Sequence, residues 1–264
     1  TYPGGQDPAR IGVGPHPHRG FAPVTFIYSG DIHHRDSKGN DAIVGAGGTQ
    51  WMFAGSGLVH SERPSAQLAR KGGTLELIQF WVNVPGEYKM EPATYYPLQK
   101  EDTPTLESED GRMVLALASG ELQGVKGPIP TFRPLLTAQL FFWEGGKMSF
   151  ELPANQNTLL YVLNGALRVN GQEASAKNLV WFEKNSGENI ELEPIPPGKG
   201  MLLSAEPIGE PVATYGPFVM NNQAEIQQAM NEFRSTQFGG WPWPNSEHVH
   251  DRNRGRFARF TDGT

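Results

Sequence analysis

Glycine and proline punctuate this chain so densely that helices have little room to propagate: 32 Gly and 22 Pro stand among its 264 residues. A helix interior loses about 1 kcal/mol at Gly and about 3 kcal/mol at Pro relative to Ala. Many turns and short extended runs are therefore expected, which favours an all-β fold. Residues 24–32 (VTFIYSGDI) read as a strand, a turn at Ser29-Gly30 and a second strand beginning. Lys38-Gly39-Asn40 is a turn. Residues 49–53 (TQWMF) form a short strand. Residues 75–84 (LELIQFWVNV) are a candidate central strand buried on both faces, closed by Pro85-Gly86. The polar, Pro-containing stretch 95–111 reads as the link between halves. Strands resume at 113–118, 138–143, 148–152, 158–163, 166–169, 178–182 and 201–205. Asn170-Gly171 is the strongest hairpin signal in the chain.

One segment reads as a helix, over 222–237. Asn222 caps it, Glu225 follows three residues later, and Ile226, Met230 and Phe233 make one apolar stripe. Gly239-Gly240 stops it. The tail after it, 241–264, reads as irregular and anchored on the body by Trp241 and Trp243. The two halves are weakly alike: Gly30 and Gly165 sit in similar apolar surroundings, and Trp51 and Trp181 follow on strands. Two tandem β-barrels are expected, over 1–105 and 106–220, with the helix and tail of 221–264 packed on the body.

The side-chain inventory excludes several functions. Twenty-two basic against 28 acidic residues leave a net charge of −6, a poor basis for direct nucleic-acid binding. The chain has no Cys, so disulfides, thiolate zinc sites, iron–sulfur clusters and Cys nucleophiles are ruled out. No apolar run approaches the ~20 residues of a membrane helix. Residues 1–14 lack the apolar core of a signal peptide, and with the absent Cys this points to the cytoplasm.

Five of the seven His lie between residues 16 and 60. His16-Pro17-His18 puts two imidazoles at i and i+2, on one side of an extended chain. His60-Ser61-Glu62 repeats the spacing with a carboxylate. A returning strand could oppose the two pairs around one ion. Three imidazoles and one carboxylate suit Fe(II), Mn, Ni, Co, Cu or Zn; with no thiolate and one hard oxygen, Fe(II) is favoured. Four protein ligands on a six-coordinate ion leave two positions open. The second half contains no His from residue 62 to 247. The positions matching the ligands there are Glu151, Pro153 and Ile190, so that barrel is expected to be metal-free. His248 and His250 form another H-x-H, read as a weak metal candidate. Arg252, Arg254, Arg256 and Arg259 make the tail locally basic, as a salt-bridged seam or a docking surface.

PHPHRGF at 15–21, HHRDSKGN at 33–40, TQWMFAGSGLVHSE at 49–62 and PIGEPVATYGPFVMN at 207–221 resemble the pirin family of the cupin superfamily. The likeness runs from about residue 12 to 240. It implies two cupin (jelly-roll) barrels face to face, with one mononuclear iron in the N-terminal barrel held by His16, His18, His60 and Glu62. It also implies either of two activities: cleavage of the flavonol quercetin with O2, or redox-sensing co-regulation through a protein partner. For the first, a phenolic substrate would chelate the metal and Glu62 would take its hydroxyl proton as general base. For the second, Fe(II)/Fe(III) would bias a partner-binding surface. An apolar barrel mouth would favour the enzyme and a flat, closed one the regulator. Family members typically carry several dozen residues ahead of the HPH motif, against 15 here, and often read HRGFET where this chain has HRGFAP. Ala22 and Pro23 thus remove an acidic side chain and a backbone donor near the site. His34, within the family's HRDS motif, is expected to support the site rather than ligate. Gln50 and Met52 precede the ligand loop, where Met52 reads as core. Arg19 reads as either paired with an acid or solvated.

Overall fold

Ser29 ends one strand and Asp31 opens the next because Gly30 between them adopts φ +77°. A Cβ there would meet Thr74 O at 2.7 Å, so only Gly fits both the torsion and the approach. Strand–turn–strand units of this kind recur along the chain in a computed structural model, which describes residues 1–183, 189–244 and 255–260. By internal contacts the chain divides into two units, Thr1–Glu101 with Gly209–Thr264, and Asp102–Ile208.

The first unit opens with β1 (Val13–His18), β2 (Phe21–Ser29), β3 (Asp31–Asp36), β4 (Asp41–Gly45), β5 (Thr49–Phe53) and β6 (Leu58–Pro64). Helix α1 (Ala66–Lys71), β7 (Glu76–Asn83) and β8 (Thr94–Leu98) follow. The second unit holds β9 (Thr105–Glu107), β10 (Met113–Ser119), β11 (Glu121–Leu122), β12 (Val125–Lys126), β13 (Leu135–Phe142) and β14 (Met148–Glu151). It continues through β15 (Asn157–Asn164), β16 (Ala166–Val169), β17 (Gln172–Ser175), β18 (Leu179–Phe182), β19 (Asn189–Pro194) and β20 (Gly198–Ala205). The chain then returns to the first unit with β21 (Ala213–Tyr215), β22 (Phe218–Met220), α2 (Gln223–Thr236) and β23 (Ala258–Arg259).

Each unit is a cupin-type pair of antiparallel sheets. In the first, the order β1-β6-β3-β4-β23 faces β7-β2-β5-β8; in the second, β18-β15-β20-β13-β10-β9 faces β14-β19-β16-β17. The second unit's interior is filled by apolar side chains, among them Leu115, Leu140, Phe142, Phe150, Leu167 and Leu202. The expected Asn170-Gly171 hairpin joins β16 to β17 with φ of +46° and +80°, the positive pair a type I′ turn requires.

Several readings need correction. Strand β7 lies at the edge of its sheet, not at its centre, and its Gln79 and Trp81 face solvent. The stretch 95–111 is not merely a link. Its start belongs to β8, which pairs with β5, and β9 within it pairs with β10. Residues 209–220, assigned on sequence to the second barrel, group with the first unit, where Val219 N–H donates to Arg19 O. A second helix, α1, is present, capped by Ser65 Oγ accepting from Leu68 N–H; at six residues it is too short to show a period.

Helix α2 keeps its expected cap, with Asn222 Oδ1 accepting from Glu225 N–H at 3.0 Å and Glu225 Oε2 accepting from Asn221 N–H at 2.8 Å. Ile226 is buried, and Met230 and Phe233 pack half-buried against Phe218 and Phe238. The tail is not wholly irregular: β23 adds an edge strand beside β4. Trp243 does anchor it, donating Nε1–H to Asp36 O at 2.9 Å beneath the Arg35 guanidinium. His248, His250, Arg252 and Arg254 lie outside the described residues. No helix among the described residues is long and apolar enough to cross a membrane.

Candidate metal centre

Strand alternation and register assemble the site. His16 and His18 leave β1 on one side. His60 stands opposite His16 on β6, and on the far flank of β6 it is opposite Asp36 of β3. A register shift between Val13 and His16 brings Glu62 opposite Val13 and beside His34. Among the described residues, the ligand atoms of His16, His18 and His60 all lie within 4.8 Å of one another. Glu62 Oε2 lies 3.8 Å from His60 Nε2. Both sequence-predicted pairs therefore meet at one place.

Each of the three rings has its Nδ1 engaged. His16 Nδ1 lies 2.8 Å from Gly14 O. His18 Nδ1 lies 3.3 Å from Pro217 O. A carbonyl only accepts, so both rings carry their proton on Nδ1 and keep the Nε2 lone pair. His60 Nδ1 faces His34 Nδ1 at 3.5 Å, while His34 Nε2 lies 2.9 Å from Asp36 Oδ2. The carboxylate takes the Nε2–H of His34, which leaves His34 Nδ1 as an acceptor for His60 Nδ1–H. The same tautomer results for all three rings. Burial, and next the neighbouring His16, lower the His18 pKa to about 3 against the opposing pull of the Pro217 carbonyl. A neutral imidazole with a free Nε2 is what a divalent ion binds. The donor set and its tautomers therefore fit a metal.

Glu62 is held from the opposite sheet. Gln50 Nε2–H donates to Oε1. Gln79 Nε2 lies 3.2 Å from Oε1 and 3.0 Å from Oε2, and 3.1 Å from Thr25 Oγ1. The Gln50 amide cannot turn over, because its Oε1 accepts from Tyr95 O–H at 3.1 Å. Tyr95 also stacks on His34, with centroids 3.9 Å apart and planes 8° from parallel. Burial raises the Tyr95 pKa, and the nearby carboxylates raise it further, so the hydroxyl stays a donor.

Sequence reasoning placed His34 and Met52 well: His34 supports the site, and Met52 is buried in the core. His33 points to the other face of β3, 2.6 Å from Asp41. Arg19 is buried and paired with Glu232 Oε2 at 2.6 Å, which resolves its two readings. Gln79, Tyr95 and the Pro217 carbonyl were missed, and so was the role of Gln50. Glutamine and tyrosine carry no spacing signal for such work, and a backbone carbonyl carries none at all.

A family model described as pirin matches residues 1–82, and one described as the pirin C-terminal cupin domain matches residues 139–239. A Pseudomonas aeruginosa protein named "putative quercetin 2,3-dioxygenase" is 38% identical over 229 residues, 87% of this chain and 80% of its own length. A pirin-like protein of Caulobacter vibrioides is 34% identical over 84% of this chain and 79% of its own. Among solved structures, a quercetin 2,3-dioxygenase from Acinetobacter baumannii superposes with a TM-score of 0.85 at 36% identity, covering 90% of this chain and 83% of that one.

Proposed function

The chain belongs to the pirin family, and on that premise we propose that it is a metal-dependent dioxygenase acting on flavonol-like phenols with O2. His16, His18, His60 and Glu62 would hold one divalent ion, with Fe(II) the best match to three imidazoles and a carboxylate. The observation that carries the reading is the convergence of three correctly tautomerised imidazoles and one anchored carboxylate beside an open edge, where Gln79 and Trp81 face solvent. Relatives named for quercetin 2,3-dioxygenase support the choice of substrate class.

Bound there, a divalent ion would supply Lewis acidity toward a chelating enediol. The chain's own residues do the rest. Gln50 donates to Glu62 Oε1 and Gln79 shares an N–H between both carboxylate oxygens, so Oε2 is the less engaged oxygen and the one that faces the imidazoles. Oε2 is thus the atom that would take the hydroxyl proton of the substrate. Gln50 and Gln79 keep that oxygen aimed at the centre, and the buried Tyr95 hydroxyl fixes the Gln50 amide. The Trp81 indole, half exposed beside the His18 ring, suits a small aromatic substrate better than the alternative of a non-enzymatic iron sensor with a flat protein-binding face.

The test is metal analysis of anaerobically purified protein, followed by O2 uptake with flavonols for the Fe, Mn, Ni, Co, Cu and Zn forms. About one ion per chain and flavonol-dependent O2 consumption are expected. One ion per chain with no turnover for any metal would shift the weight to the regulator.

A further inference from the structure

We infer that Trp81 is the platform on which this centre receives a planar aromatic ring, so that its ligands are conjugated ring systems bearing adjacent oxygen donors rather than aliphatic acids or sugars. The inference rests on the metal reading above and adds the residue that would select the ligand.

Trp81 is 48% exposed, an unusual state for the largest apolar side chain. It is nonetheless not a loose surface residue. Alternation along β7 puts it on the same face as Gln79, whose amide reaches Glu62. The indole lies 4.3 Å from the Phe21 ring at 34°, and 5.5 Å from the His18 ring at 72°. Phe21 is fully buried. In the β2–β7 register Pro23 stands directly opposite Trp81, and cross-strand partners share a face. The indole is therefore backed by a buried phenyl ring and flanked by a proline, with its remaining surface turned to solvent beside a ligand imidazole.

A side chain fixed in this way loses little entropy when a ring settles on it, and an offset aromatic pair gains beyond the area it covers. Pro23, one of the two residues at which this chain departs from the usual HRGFET, thus joins an apolar wall next to the centre. The polar side chains on that row of β7 are two uncharged amides, Gln79 on Glu62 and Asn83 accepting from Lys89 Nζ at 2.6 Å, which suits a neutral or singly ionised phenol.

The test compares acetohydroxamate with benzohydroxamate, which offer a metal the same two oxygens and differ only by the ring. Binding is measured to the Ni(II)-loaded protein, with metal content determined for each variant and each affinity divided by that for free Ni(II). The wild type should then prefer benzohydroxamate by about tenfold, the scale of one stacked ring. Compared at equal metal content, Trp81→Ala should erase the preference, and Trp81→Phe should keep most of it. A metal-loaded wild type without preference, or a preference that survives Trp81→Ala, overturns the platform and leaves the metal reading standing. A chain that takes up no Ni(II) overturns both.

Discussion

His34 and His60 meet through their Nδ1 atoms at 3.5 Å, and because Asp36 takes the other nitrogen of His34, the proton between the two rings belongs to His60. The tautomer of His60 is thereby set by a carboxylate one ring away. Asp36 is itself held: its Oδ1 accepts from Lys38 and Asn40 N–H, and its Oδ2 from Asn40 Nδ2, at 2.9, 3.1 and 2.7 Å.

His34→Phe tests this relay. The phenyl ring keeps the stack on Tyr95 but offers His60 no acceptor. Groups that orient a ligand imidazole are worth about 10–100-fold in metal affinity. Titration with Co(II) should show a loss of that order with one site per chain retained. His34→Gln, which can still present an acceptor, should recover part of it. Unchanged affinity in His34→Phe would show that His60 needs no partner at Nδ1.

Tyr95 touches both sides of the site, stacking on His34 and donating to Gln50. Gln50→Leu leaves the Tyr95 hydroxyl and one Glu62 oxygen short of a buried partner. Each such loss costs about 1–3 kcal/mol, so the metal-free melting midpoint should fall markedly. Tyr95→Phe alone should cost about 1 kcal/mol. The double variant should cost less than the sum, since the hydroxyl stranded by Gln50→Leu is then gone. Strict additivity would mean the two side chains do not cooperate.

Much of this is legible in the residues alone. Alternation places His16, His18, His60 and Glu62 on inward faces, and glycine turns mark the strands from Phe21 to Phe53. What is not legible has physical reasons. β7 reads as doubly buried because Leu77, Ile78, Phe80 and Val82 are apolar, yet sheet order, which no local pattern encodes, leaves it at an edge. Residues 95–111 conceal β8 because Tyr95, Tyr96 and Pro97 mix polar tips with a proline; this strand tolerates Pro97 because, among the described residues, its outer flank has no strand partner. Pro217 supports His18 across 199 positions through a carbonyl, a contact that no side-chain identity announces.

Asp41 gives the fold a dependence on acid. Burial alone would raise its pKa; the His33 and Arg35 contacts outweigh that and lower it from 3.8 to about 2. Between those values the unfolded chain binds more protons than the folded one, so stability falls as pH drops through this window. Allowing for solvent screening, the contribution is on the order of 1 kcal/mol. Asp41→Asn should be less stable than wild type at neutral pH, and its melting midpoint should change less between pH about 4 and about 2. Parallel curves for the two proteins would assign the acid sensitivity elsewhere.

Glu62→Gln separates ligand from base. The variant keeps one oxygen, and the Gln50 and Gln79 donors at Oε1 will claim it. The new amide nitrogen then falls at the Oε2 position, 3.0 Å from the Gln79 Nε2 donor and 3.8 Å from His60 Nε2. There it meets one N–H group head-on and turns an N–H, rather than a carboxylate oxygen, toward the place where a metal would sit. Metal binding should therefore weaken without vanishing, since three imidazoles remain. With occupancy restored by excess ion, loss of the base should lower flavonol-dependent O2 consumption by about 10²–10⁴-fold. Activity that survives at matched occupancy would remove Glu62 from the proton-transfer role and leave it as a ligand alone. A fall that excess metal fully reverses would say the same, because the whole defect would then lie in binding the ion.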